Sequence, residues 1–160
     1  MAHFARVSPD GLVLDVVVIN NDDCCTEGGL ERESIGAAFC ENHYGEDGCT
    51  WKQCSYNTRE GVHYCGYDEL PDCCGDVDDK TPLRANYPSP GWLYSTEHDI
   101  FHKPRPEDRY NRPCDSWTLN TTTGVWEPPT PKPEVVDDGS DSAFYVWDEP
   151  TQTWINIYAE

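Results

Sequence analysis

The sequence predicts a mainly β protein. It reads as a small hairpin-rich sheet domain with one short helix, followed by a tail of aromatic β-hairpin repeats joined by Pro-rich spacers. Three observations carry this. Trp92-x-Tyr94 is followed by Phe101, Trp117-x-Leu119 by Trp126, and Tyr145-x-Trp147 by Trp154, each at the same distance. Polar turn residues separate the two halves of each copy, such as Asn120-Thr121-Thr122-Thr123-Gly124 and Asp148-Glu149-Pro150-Thr151-Gln152. Proline then follows the first two copies, as Lys103-Pro104-Arg105-Pro106 and Pro128-Pro129-Thr130-Pro131-Lys132-Pro133. A short period built on aromatics marks a repeated supersecondary unit.

Side chains at i and i+2 of a strand share a face. Trp117 and Leu119 therefore share one, as do Tyr145 and Trp147, and the return strand brings Trp126 or Trp154 back against them. An isolated two-stranded hairpin is marginal in water. The three hairpins, at about residues 91–102, 116–127 and 144–157, must pack on one another, on the N-terminal part or on a partner. Trp92, Tyr94, Phe101, Trp117, Trp126, Tyr145, Trp147 and Trp154 are the aromatics expected to do this, either as core or as an interface. Together these hairpins form a second region, residues 84–160, after a Cys-rich α+β region, residues 1–83.

Within the first region, Phe4 to Val7 and Leu12 to Ile19 read as two strands around the turn chemistry of Pro9-Asp10-Gly11. Leu30 to Tyr44 has a helical reading. Ile35, Ala38 and Phe39 recur at i, i+3 and i+4, and Gly45 stands where a C-cap belongs. Trp51 to Asn57 and Val62 to Tyr67 read as strands. Residues 68–82 read as a loop tied down by cysteines, and residues 134–143 as an acidic linker containing glycine and serine. The proline segments between hairpins read as extended spacers.

The chain has 160 residues and nine cysteines, of which Cys24, Cys25, Cys40, Cys49, Cys54, Cys65, Cys73 and Cys74 fall close together and Cys114 stands apart. Three states compete: a disulfide framework, a structural zinc site and free buried thiols. Zinc modules favour paired C-x2-4-C knuckles, whereas this chain has Cys40-x2-His43 and Cys49-x4-Cys54. Neighbouring Cα atoms lie about 3.8 Å apart, below the usual disulfide range. Each member of Cys24-Cys25 and Cys73-Cys74 would then seek a distant partner. The eight clustered cysteines are the disulfide candidates, and the odd total leaves at least one thiol unpaired or intermolecular.

The formal net charge is −19. This argues against nucleic acid, whose partners carry a positive patch, and against anionic membrane surfaces. The longest apolar run, Leu12 to Ile19, is too short to span a bilayer and contains Asp15. The N-terminal residues lack the pattern of a secretory signal.

No nucleophile elbow, phosphate loop or zinc-protease helix is present. His98-x3-His102 falls inside a hairpin pattern. Asp137-Asp138-Gly139-Ser140-Asp141 has half the spacing of a calcium loop. Asn120-Thr121-Thr122 matches a glycosylation sequon in a turn. The expectation is no catalytic residue, no metal ligand set and no cofactor.

Several segments resemble one family. They are Met1-Ala2-His3-Phe4-Ala5, Ile35-Gly36-Ala37-Ala38-Phe39-Cys40, Trp51-Lys52-Gln53-Cys54-Ser55-Tyr56-Asn57, and Arg84-Ala85-Asn86-Tyr87-Pro88 leading to Gly91-Trp92. Ser116-Trp117-Thr118-Leu119-Asn120 and Trp126-Glu127-Pro128-Pro129-Thr130-Pro131 complete the set. The family comprises small virion-associated structural proteins of tailed phages of marine cyanobacteria and related ocean bacteria. The chain departs from its pattern in cysteine load.

The resemblance implies a non-enzymatic virion protein. The leading expectation is a capsid decoration or cement protein on the outer surface of the head. It would be assembled in the host cytoplasm against the major capsid protein, with self-association possible and with disulfides closing after lysis. The alternatives are a tail-fibre, baseplate or other tail appendage protein, a carbohydrate-binding module for host-surface glycans, and a small host-takeover regulator absent from virions.

Overall fold

The computed structural model describes residues 1–45, 48–65, 76–134 and 144–158. Two strands open the chain, β1 (Ala2–Val7) and β2 (Val13–Ile19), and a single turn of 3-10 helix follows at Asn21–Cys24. The one α-helix among the described residues, α1, spans Glu33–Tyr44. The remaining strands are β3 (Thr50–Cys54), β4 (Thr58–Arg59), β5 (Val62–His63), β6 (Leu93–Ser95), β7 (Ile100–His102), β8 (Thr118–Asn120), β9 (Val125–Glu127), β10 (Tyr145–Asp148) and β11 (Thr153–Asn156). The protein is mainly β, with small antiparallel sheets.

The chain forms two compact units. Unit 1 comprises residues 1–104 and 121–124, and unit 2 comprises residues 105–120 and 125–160. The boundary read from the sequence at residue 83 therefore falls inside unit 1. The reason is packing: Tyr94 and Phe101 of the β6–β7 hairpin share a core with Ala5, Val7, Val13 and Cys54.

Unit 1 is built on a three-stranded sheet in the order β2-β1-β3. Pro9-Asp10-Gly11 turns β1 into β2, with Gly11 at φ +83 and its N–H donating to the Ser8 carbonyl at 2.9 Å. Alternation along β1 gives the sheet two apolar faces. Ala2 and Phe4 join Ile19, Trp51, Cys24 and Cys40 beneath α1. Ala5 and Val7 face the β6–β7 hairpin. Phe4 and Ala5 have no exposed surface. β2 pairs with β1 from Ala2 opposite Ile19 to Arg6 opposite Asp15 and, past a register shift at Leu14, with Val7 opposite Val13.

The helix begins later than the sequence suggested, because Arg32 still has extended backbone and its N–H donates to the Cys24 carbonyl at 2.7 Å. It ends at Gly45, as expected, with the Gly45 N–H donating to the Glu41 carbonyl. Its buried face matches the expected one only in part, since Phe39 packs against the core but Ala38 does not. Gly36 and Cys40, four residues apart, are buried, whereas Ala38 is exposed. A side chain at Gly36 would collide with the Phe4 ring and the Cys24 Cβ, so the helix sits on the sheet only because nothing projects there.

The strands expected over Trp51–Asn57 and Val62–Tyr67 are shorter than their sequence patterns, ending at Cys54 and His63. Most of the loop expected over residues 68–82 and nearly all of the linker expected over 134–143 lie outside the described residues.

Arg84 ties unit 1 together. Its guanidinium donates to Asp99 at 2.7 Å, to Glu33 at 3.0 Å and to the Gln53 carbonyl at 2.8 Å. It thus links the hairpin, α1 and β3. Asn86, buried, donates to the carbonyls of Phe101 and Thr123 and accepts from the Glu60 N–H. Each of these polar groups is satisfied, which is the condition for burying it at low cost.

Candidate interaction site

Each segment expected to be a hairpin pairs as two antiparallel strands. Tyr94 stands opposite Phe101, Leu119 opposite Trp126, and Trp147 opposite Trp154. Their surroundings differ. Tyr94 and Phe101 are buried in the unit 1 core with ring centroids 5.3 Å apart, and Trp92, partly buried, packs against that core. Trp117, Trp147 and Trp154 form one cluster in unit 2. Their centroids are 5.2 Å apart for Trp147–Trp154, 5.8 Å for Trp117–Trp147 and 6.0 Å for Trp117–Trp154, all edge-to-face. This is the arrangement that the ring quadrupole favours. Trp126 lies beneath the Arg105 guanidinium at 4.3 Å. Tyr145 is half-buried on β10, opposite Asn156.

A polar network positions the tryptophan cluster. Residues 106–114 fold back on themselves. The Asp108 N–H donates to the Arg112 carbonyl, and the Cys114 N–H donates to the Pro106 carbonyl. The Asp108 carboxylate accepts from the N–H groups of Tyr110 and Arg112 at 2.8 and 3.1 Å. The Arg112 guanidinium bridges Asp108 at 2.6 Å and Asp148 at 3.0 Å. Glu149 accepts from the Trp147 indole N–H and from both the N–H and hydroxyl of Ser116, each at 2.8 Å. Burial alone would raise the Asp108 carboxyl, but the Arg112 guanidinium and the backbone donors outweigh it and hold it well below the carboxylate range. Asp148 is lowered by the Thr151 hydroxyl and by Arg112. Glu149 is lowered too: its indole, backbone and hydroxyl donors outweigh the effect of burial.

Beside this network lies an open groove of about 310 Å³, lined by Pro106, Glu107, Asp108, Arg109, Trp117, Val146, Trp147 and Trp154. The three indole N–H groups have different fates. That of Trp147 meets Glu149, and that of Trp154 donates to the Thr130 carbonyl at 2.8 Å. That of Trp117 is buried and finds no acceptor among the described residues. The cross-strand partners were legible from the repeat spacing. Asp108, Arg112 and Glu149 were missed, because they sit in loops where no periodicity marks them.

Among the disulfide candidates, Cys24, Cys25, Cys40 and Cys54 carry free thiols, as does Cys114. Cys24 and Cys40 are wholly buried between sheet and helix, where a thiol behaves as a small hydrophobe. Burial pushes the thiols of Cys24, Cys40 and Cys114 up to about 11, and that of Cys54 to about 12. Such thiols are poor nucleophiles at neutral pH. Cys65 is buried, and Cys73 and Cys74 lie outside the described residues. Cys49 precedes β3, so it does not share a strand with Cys54.

No group of three or more His, Cys, Asp or Glu side chains is disposed to hold a metal ion among the described residues. His102 contacts the Lys103 carbonyl through Nδ1. The expected calcium half-loop at 137–141 lies outside the described residues. No described helix is long and apolar enough to cross a membrane.

Comparison with protein-family models, with curated proteins and with solved structures finds no match for this chain.

Proposed function

We propose that this chain is a non-enzymatic virion structural protein of a tailed phage, decorating the outside of the capsid. The resemblance of its sequence segments to small cyanophage virion proteins motivates the reading. The observation that carries it is the outer strand of unit 1. From Asp15 to Ile19, β2 pairs with β1 and with no second strand among the described residues. Leu14 and Val18 are 41% and 44% exposed. An open edge bearing apolar side chains, with Asp15 its one charge, is a hazard for a free protein and a docking rail for a bound one. Strand addition to a neighbouring capsid protein would cover both its backbone groups and these side chains.

The aromatic hairpins are less free to serve as contact surface than their sequence suggests. Tyr94, Phe101 and Trp147 are buried within the chain, and the tryptophans of unit 2 pack on one another. In this reading the three hairpins are copies of one unit, and the proline segments between them are spacers. The acidic surface keeps the particle exterior soluble.

Immunogold labelling of purified virions, viewed by electron microscopy, tests the proposal. Label spread over the head supports decoration. Label confined to fibres or the tail tip moves the chain to an appendage. Absence of the chain from denatured virions on a blot overturns a structural role.

A further inference from the structure

We propose that unit 2 is a polyproline-recognition module, with the tryptophan-walled groove receiving a lysine-bearing, proline-rich strand of a partner protein. This inference stands independently of the virion reading.

The first observation is that this unit already holds such a strand, its own. Residues 128–133 alternate proline with Thr130 and Lys132. The Trp154 indole N–H donates to the Thr130 carbonyl at 2.8 Å across 24 positions of sequence. The Lys132 ammonium lies over the Trp154 ring at 5.6 Å and over the Phe144 ring at 5.8 Å. An indole N–H to a carbonyl, with rings against the strand, is how aromatic grooves generally recognise extended proline segments. Such a strand is already extended when free, so little order is lost on binding.

The second observation is the donor balance of the adjoining groove. A proline-rich strand offers carbonyl acceptors and few N–H donors. The groove offers the converse. Trp117 lines it, and the indole N–H of Trp117, itself buried, has no acceptor among the described residues. A buried donor left unmatched is costly, and a ligand carbonyl would remove that cost. Pro106, Val146 and the three tryptophans supply the apolar walls. At the rim, Glu107 and Arg109 are both exposed and offset one another, while the chain as a whole carries a formal charge of −19. That net charge favours a cationic ligand over an acidic one.

The test uses the full ¹⁵N-labelled chain and two synthetic peptides. One has the sequence of residues 128–133, and the other replaces its prolines by alanine while keeping threonine and lysine. The expected result is a saturable shift of the Trp117 indole N–H resonance with the proline peptide, and none with the alanine peptide. The Trp117→Phe variant assigns that resonance and should lose the binding. Equal shifts with both peptides, or none with either, would overturn the proposal. A shift produced instead by soluble oligosaccharide would make the groove a glycan site. A shift that grows with protein concentration alone would make the occupant a second copy. Either also overturns it.

Discussion

Unit 1 and unit 2 are held together by different physics. In unit 1 the sheet is apolar on both faces, and each face is covered by a separate element, α1 on one and the β6–β7 hairpin on the other. Polar ties such as Arg84 and Asn86 are added at its margins. In unit 2 the strands are short and paired two by two. The tryptophan cluster is correspondingly braced by loop carboxylates around Arg112. A unit with little sheet compensates with large rings and charge-assisted hydrogen bonds. Unit 1 should therefore be sensitive to lost volume, and unit 2 to lost charge.

The largest expected effect is in unit 1. Phe4→Ala removes a wholly buried ring beneath α1 and should cost about 3–5 kcal/mol in chemical denaturation. A loss under about 1 kcal/mol would mean that the sheet–helix interface does not carry this unit. Gly36→Ala should follow at about 1–3 kcal/mol, since the new methyl meets the Phe4 ring and the Cys24 Cβ. Thermal melts would show it, and an unchanged melt would mean that α1 can lift away freely.

These two positions also show what a sequence can reveal. The alternation of β1 and the Pro-Asp-Gly turn were legible because strand period and turn chemistry are local. The close approach of α1 was not. Of the apolar residues Ile35, Ala38 and Phe39, Phe39 packs against the core at its margin, whereas the closest approach is made where the helix has its smallest residue, Gly36, and a thiol, Cys40. Close packing selects for absence of side chain, which no hydrophobic periodicity records. The hairpin partners of unit 2 were legible from spacing. Its bracing carboxylates were not, since surface and network aspartates look alike in a chain with 30 acidic residues.

Acid sharpens the contrast next. Asp108, Asp148 and Glu149 all titrate below their ordinary range in the folded chain. The unfolded state therefore binds protons first as pH falls. The stability these groups contribute is fully present above the ordinary carboxylate values of about 3.9–4.3. It is lost as pH drops below them through the depressed folded values. Unit 1 also has lowered carboxyls, at Asp78 and at Asp99, a partner of Arg84, but the two apolar faces of its sheet remain covered when these titrate. Indole resonances of Trp147 and Trp154 should lose dispersion on acidification before amide protection in β1 is lost. Simultaneous loss would erase the distinction. Asp108→Asn should lower the melting temperature of unit 2 at neutral pH and leave β1 protection unchanged.

The smallest expected effect is Leu119→Ala on β8, which removes one cross-strand pair with Trp126 at about 0.2–1 kcal/mol. A much larger loss would mean that this hairpin is core rather than periphery.

The proposed role rests on the open edge of β2, and hydrogen exchange tests it most directly. Exchange would be compared between the free chain and the chain bound to purified capsids. Decoration by strand addition predicts new protection concentrated on the amides of Leu14 to Ile19. Failure to bind capsids, or binding that protects α1 while leaving β2 unchanged, would contradict it.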